Sequence, residues 1–171
     1  MTSNSVQDGS VASTVVHGTV DDFDFLIGTW DVRMRRRRKI LSGCDEWYDL
    51  TAVCATRKIV GGLGIFDDVH MQAENGEITA MALRLFDPVA RQWSIYWAST
   101  PSGVLGAPVT GGFEAGEGIF YGPDTHDGKP ILARFRWSPG AAPHWEQAFS
   151  ADGGRSWETN WTMDFERRAT R

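Results

Sequence analysis

PILARFRWSPGAAPHWEQAFSADGGRSWETNWTMDFER, residues 130–167, decides the fold class. It divides into three runs, Pro130 to Ser138, His144 to Ser150 and Trp157 to Arg167. The last two are joined by Ala151-Asp152-Gly153-Gly154, a hairpin turn. Simple hairpin register sets Trp137 opposite Trp145, Phe149 opposite Trp157, Gln147 opposite Thr159 and Trp145 opposite Trp161. One face then carries Phe135, Trp137, Trp145, Gln147, Phe149, Trp157, Trp161, Met163 and Phe165. The other carries Arg134, Arg136, Glu146, Glu158 and Asn160. Side chains alternate across a strand, so a run with one aromatic and one charged face is a strand with one side buried.

The same reading extends back along the chain. Strands are expected over Thr29 to Ile40, Asp45 to Arg57, Ile65 to Ala73, Ile78 to Phe86, Gln92 to Ser99, Val109 to Phe113 and Gly118 to Tyr121. Asn75-Gly76 and Asp87-Pro88 supply turns. Gly61-Gly62-Leu63-Gly64 reads as a bend, and Gly122 to Gly128 as a further turn. Around Leu41–Cys44, Arg38 falls opposite Glu46 and Arg35 opposite Asp49. This puts Trp30, Val32, Met34 and Arg36 on one face with Tyr48, Leu50, Ala52 and Cys54. Folding Gln92–Ser99 back puts Met81, Leu83 and Leu85 with Trp93, Ile95 and Trp97, and Arg84 with Ser94 and Tyr96 on the opposite face. Helical periodicity is confined to one short turn in Asp21–Gly28. About ten strands with no covering helix predict an all-β, antiparallel, up-and-down barrel, because closure removes the exposed edges.

The composition agrees. A chain of 171 residues suits one domain, expected over residues 21–171 after a flexible arm of residues 1–20. A net charge of -5 argues against nucleic-acid and membrane partners. Arg35-Arg36-Arg37-Arg38-Lys39 reads as a strand with its charges split between two faces, and no aromatic residue interleaves it. Cys44 and Cys54 form no zinc spacing, so no metal and no cofactor are expected. Met1 to Val20 lacks the apolar core of a signal peptide, which predicts a cytoplasmic protein with free thiols.

Gly28-Thr29-Trp30 on the first strand and Arg167 on the last resemble the Gly-x-Trp and closing arginine of calycin barrels such as lipocalins. Over Phe23 to Arg167 the chain is similar to uncharacterised bacterial calycin-like proteins. The carriers are Phe23-Asp24-Phe25-Leu26-Ile27-Gly28-Thr29-Trp30-Asp31-Val32, Leu83-Arg84-Leu85-Phe86-Asp87-Pro88, Trp93-Ser94-Ile95-Tyr96-Trp97, the run Trp145 to Gly154, and Trp157-Glu158-Thr159-Asn160-Trp161. The resemblance implies the barrel fold, with the arginine packed over the tryptophan where the barrel closes. It implies no particular reaction. Ile65 and Phe66 depart from it, since a polar residue is expected there before Asp67-Asp68.

Eight tryptophans exceed what a barrel of this size needs for packing. Trp97, Trp145 and Trp161, with Gln147 fixing orientation, are candidates to line a pocket for a flat apolar molecule. Arg36 and Tyr48 are candidates to bind its polar end. His70, which shares a face with Asp68 and Gln72, and Glu46 are candidate acid–base groups. Three functions follow: a barrel binding a small hydrophobic or aromatic ligand, a cofactor-free isomerase, cyclase or lyase acting on such a ligand, or a structural module, a homodimer among them, with a filled core.

Overall fold

The computed structural model describes residues 16–100 and 102–169. Among them ten antiparallel strands close into a barrel: β1 (Gly28–Arg37), β2 (Trp47–Ile59), β3 (Gly64–Ala73), β4 (Gly76–Asp87), β5 (Gln92–Ser99), β6 (Val109–Glu114), β7 (Glu117–His126), β8 (Lys129–Ser138), β9 (His144–Ser150) and β10 (Glu158–Arg167). Each strand pairs with its neighbours in sequence, and β1 closes the ring against β10. A 3-10 turn, Asp24–Leu26, precedes β1, and a second, Val60–Gly62, forms the glycine-rich bend between β2 and β3. No helix among the described residues is long and apolar enough to cross a membrane.

The predicted β1–β2 register holds, with Trp30 opposite Cys54, Val32 opposite Ala52, Met34 opposite Leu50, Arg36 opposite Tyr48 and Arg35 opposite Asp49. The predicted pairing of Trp137 with Trp145 also holds. Three expectations need correction. First, the β4–β5 loop takes in Arg91, whose φ of 54° lies in the left-handed region, while Asp87 Oδ1 accepts the N–H groups of Val89 and Ala90. Asp87 therefore pairs with Gln92, and Arg84 with Ile95. A one-residue slip exchanges the faces of a strand. Arg84 consequently turns inward with Ala80 and Ala82, and the half-buried Met81, Leu83 and Leu85 turn outward.

Second, the β9–β10 register shifts between Thr159 and Trp161, which leaves Asn160 as a bulge. Trp161 pairs with Gln147, and Asn160 is fully buried rather than on the charged face. Trp157, expected inside, lies on the outer surface against Tyr121, under the Arg134 guanidinium 4.7 Å from its ring. Glu158 pairs with Phe149, and its carboxylate accepts the Leu41 N–H at 2.7 Å. Third, β7 continues through the expected turn at Gly122 and ends at His126.

Residues 1–15 of the expected arm lie outside the described residues. Residues 16–20 are held against the barrel, where the Gly18 N–H donates to Arg91 O at 2.7 Å and the Trp93 indole donates to Thr19 O at 3.0 Å. One end of the barrel is plugged. Phe23 is fully buried there, edge-on to Trp93 and Phe113 with ring centroids 5.1 and 5.0 Å apart. Trp30 donates its indole N–H to Leu26 O at 2.7 Å, and the Arg167 guanidinium lies 3.8 Å over its ring. Arg167 Nη1 also donates to Ile27 O at 2.6 Å. Gly28, at φ 124°, leaves room for that guanidinium, which a side chain at this position would meet.

Candidate functional site

The opposite end opens into a cavity of about 490 Å³. Its existence follows from side-chain size. Ala82 and Ala133 stand on inward positions of β4 and β8, facing the large rings of β5, β9 and β10 without filling the space between them. Trp97, Trp145 and Trp161 form an edge-to-face wall, with Trp161 5.8 Å from Trp97 and 5.6 Å from Trp145 by ring centroids. The expected pocket residues Trp97, Trp145, Gln147 and Trp161 all line the cavity. Gln147 is oriented by the bulge, since its Nε2 donates to Asn160 Oδ1 at 2.8 Å.

A charged pair lies in this aromatic setting. Arg84, 2% exposed, places Nη1 2.8 Å from Asp67 Oδ2. Thr56 Oγ1 donates to Asp67 Oδ1 at 2.9 Å. The guanidinium stacks 4.9 Å over Phe23 and 5.3 Å over Trp137, so the plug of the closed end supports the floor of the cavity. Asp67 faces inward because β3 alternates Ile65, Asp67, Val69 and Met71 on one face, all buried. Cys54 also lines the cavity, and burial, followed by the nearby Asp67 charge, pushes its thiol up to about 12. It is a neutral thiol at physiological pH and a poor nucleophile.

The remaining candidates separate from this cavity. Arg36, Glu46 and Tyr48 border a second hollow of about 510 Å³, where β1 ends and β2 begins. Trp161 borders both spaces, and the Arg36 guanidinium covers its ring at 4.7 Å. His70 points outward, between Glu77 at 3.0 Å and Asp68 at 3.5 Å. These carboxylates, the Glu77 hydrogen bond first, hold its pKa above the ordinary histidine value. Its strand neighbours Val69 and Met71 face the interior in its place.

Sequence reading missed Arg84, Asp67 and Thr56 as site residues and put Asn160 on the outer charged face. For Asp67 the signal was present, because it shares strand parity with Ile65, Val69 and Met71. Arg84 was hidden by the loop length, and Asn160 by the bulge. Among the described residues, no three His, Cys, Asp or Glu side chains gather as metal ligands. In comparisons with known proteins, no family model matches the chain, and no curated protein matches it.

Proposed function

We propose that the protein binds a small hydrophobic or aromatic ligand inside a calycin-like barrel. The observation that carries this reading is the cavity of about 490 Å³ walled by Trp97, Trp145 and Trp161. Ligand pockets usually fall within about 300–1,000 Å³ and combine apolar walls with a few placed polar groups. A structural module with a filled core has no need of inward alanines facing tryptophans. An acid–base enzyme needs a free proton carrier inside, whereas His70 points outward and Asp67 is engaged by Arg84 and Thr56. The plugged end, with Arg167 over Trp30, supports the calycin-like assignment. The free thiols Cys44 and Cys54 suit a reducing compartment such as the cytoplasm.

Titration with N-phenyl-1-naphthylamine, a neutral dye that brightens in apolar surroundings, tests the proposal. Saturable binding at one site is expected. Ala82→Leu and Ala133→Leu, which fill the cavity, should weaken it about tenfold or more, equivalent to about 1.4 kcal/mol. Absence of saturable binding, or binding indifferent to both substitutions, rules the cavity out as the site.

A further inference from the structure

Several buried donors at the cavity lack acceptors. Arg84 Nε makes no hydrogen bond among the described residues, while Nη1 is held 2.8 Å from Asp67 Oδ2. The indole N–H groups of Trp137 and Trp161, both cavity-lining residues, are also buried without a partner. So is Asn160 Nδ2, behind Gln147. Each buried donor left unmade costs about 1–3 kcal/mol, so such a group calls for a partner that the protein itself does not supply. The charges narrow the choice. Arg84 and Asp67 together are neutral, so a carboxylate brought to the floor would be repelled by Asp67, and an ammonium by Arg84. An uncharged dipole with an exposed oxygen meets neither penalty.

We infer that the cavity selects a flat, uncharged aromatic ligand carrying a carbonyl or similar acceptor oxygen, which Arg84 and the Trp137 indole N–H receive at the floor. This rests on the binding function proposed above and adds the chemical class of the ligand. The aromatic wall supplies affinity without discrimination. The donor set supplies orientation, with the oxygen deep and the hydrocarbon towards the open end.

Three probes of nearly equal shape separate the contributions: 2-acetylnaphthalene, 2-ethylnaphthalene and 2-naphthoate, measured by calorimetry on the full chain. The ketone should bind about tenfold more tightly than the other two, as hydrogen bonds to a charged donor predict. Trp137→Phe keeps an aromatic ring but removes the N–H together with part of the indole's volume, and Arg84→Gln keeps a donor and removes the charge. Each should shrink the ketone's advantage over 2-ethylnaphthalene, a difference that general loosening of the core would not move. Should Arg84→Gln fail to fold, the double variant Asp67→Asn/Arg84→Gln replaces the ion pair by an amide pair and should likewise lose the advantage. Equal binding of ketone and hydrocarbon would overturn the inference and leave the binding function standing. Tightest binding of 2-naphthoate, or a ketone advantage unchanged in the variants, would overturn it too. If none of the three binds, both proposals fall together.

Discussion

The two ends of the barrel use the same residue type differently. At the plugged end the Trp30 indole donates to Leu26 O and the Trp93 indole to Thr19 O. Around the cavity the Trp137 and Trp161 indoles have no acceptor. All four side chains are buried. A tryptophan with its N–H satisfied is a complete structural piece. A tryptophan buried without an acceptor is half of an interaction. Burial alone therefore does not separate core from site among these four tryptophans, whereas their hydrogen bonds do.

Substitutions can break that contrast. The largest effect is expected at the plug. Trp30→Ala removes a fully buried ring, the seat of Arg167 and a hydrogen bond, and should cost about 3–5 kcal/mol in a denaturant melt. Arg84→Met should come next, destabilising by about 3 kcal/mol because Asp67 is left buried and unpaired. Adding Asp67→Leu should restore most of that loss, since an apolar pair of similar size is often no worse than a buried ion pair. If the double variant is as unstable as the single one, the pair supports the fold itself and not only the site.

At the open end Arg36→Met should cost about 1 kcal/mol, the scale of a part-exposed cation–π contact on Trp161. A larger loss in the melt would make the rim as structural as the plug. The smallest effect concerns His70. Its raised pKa means the interaction with Glu77 and Asp68 stabilises the fold below histidine's unfolded value, and this contribution is lost as pH rises through the folded value. An NMR titration should find the midpoint above 6.5, the ordinary histidine value, and Glu77→Gln should bring it down. The Asp152 carboxylate, held low by Ser156 and then Ser150, shows the opposite sign: its contribution is present above the ordinary aspartate value and lost only in strong acid.

The barrel was legible because period-2 alternation survives in any strand whose two faces differ, as in Phe135-Arg136-Trp137 and Ile65–Met71. The aromatic wall followed from the same pattern, and Trp97, Trp145, Gln147 and Trp161 do meet at one cavity. The charged floor was not legible, and two local geometries explain why. One additional loop residue, Arg91 with φ 54°, decides whether Arg84 or Leu85 faces inward. One bulged residue, Asn160, decides where Gln147 falls against β10. Neither leaves a compositional mark, because a left-handed arginine and a bulged asparagine are tolerated exceptions and not sequence rules. The choice of Met81, Leu83 and Leu85 as the inward set was the natural one on hydrophobicity. In the structure those side chains lie half-buried on the outside, and the small alanines facing inward leave the space that makes the cavity.

The closing seam has a kinetic consequence. Nine of the pairings join consecutive strands and can zip up as local hairpins, whereas β1 and β10 pair from far apart in the chain, with Arg167 reaching an oxygen 140 residues away in sequence. That contact must gather the ends of a long loop before it returns any stability. Closure of the ring is therefore the expected slow event of folding, and the Arg167–Trp30 clasp is a latch that engages only after the other strands have found their order.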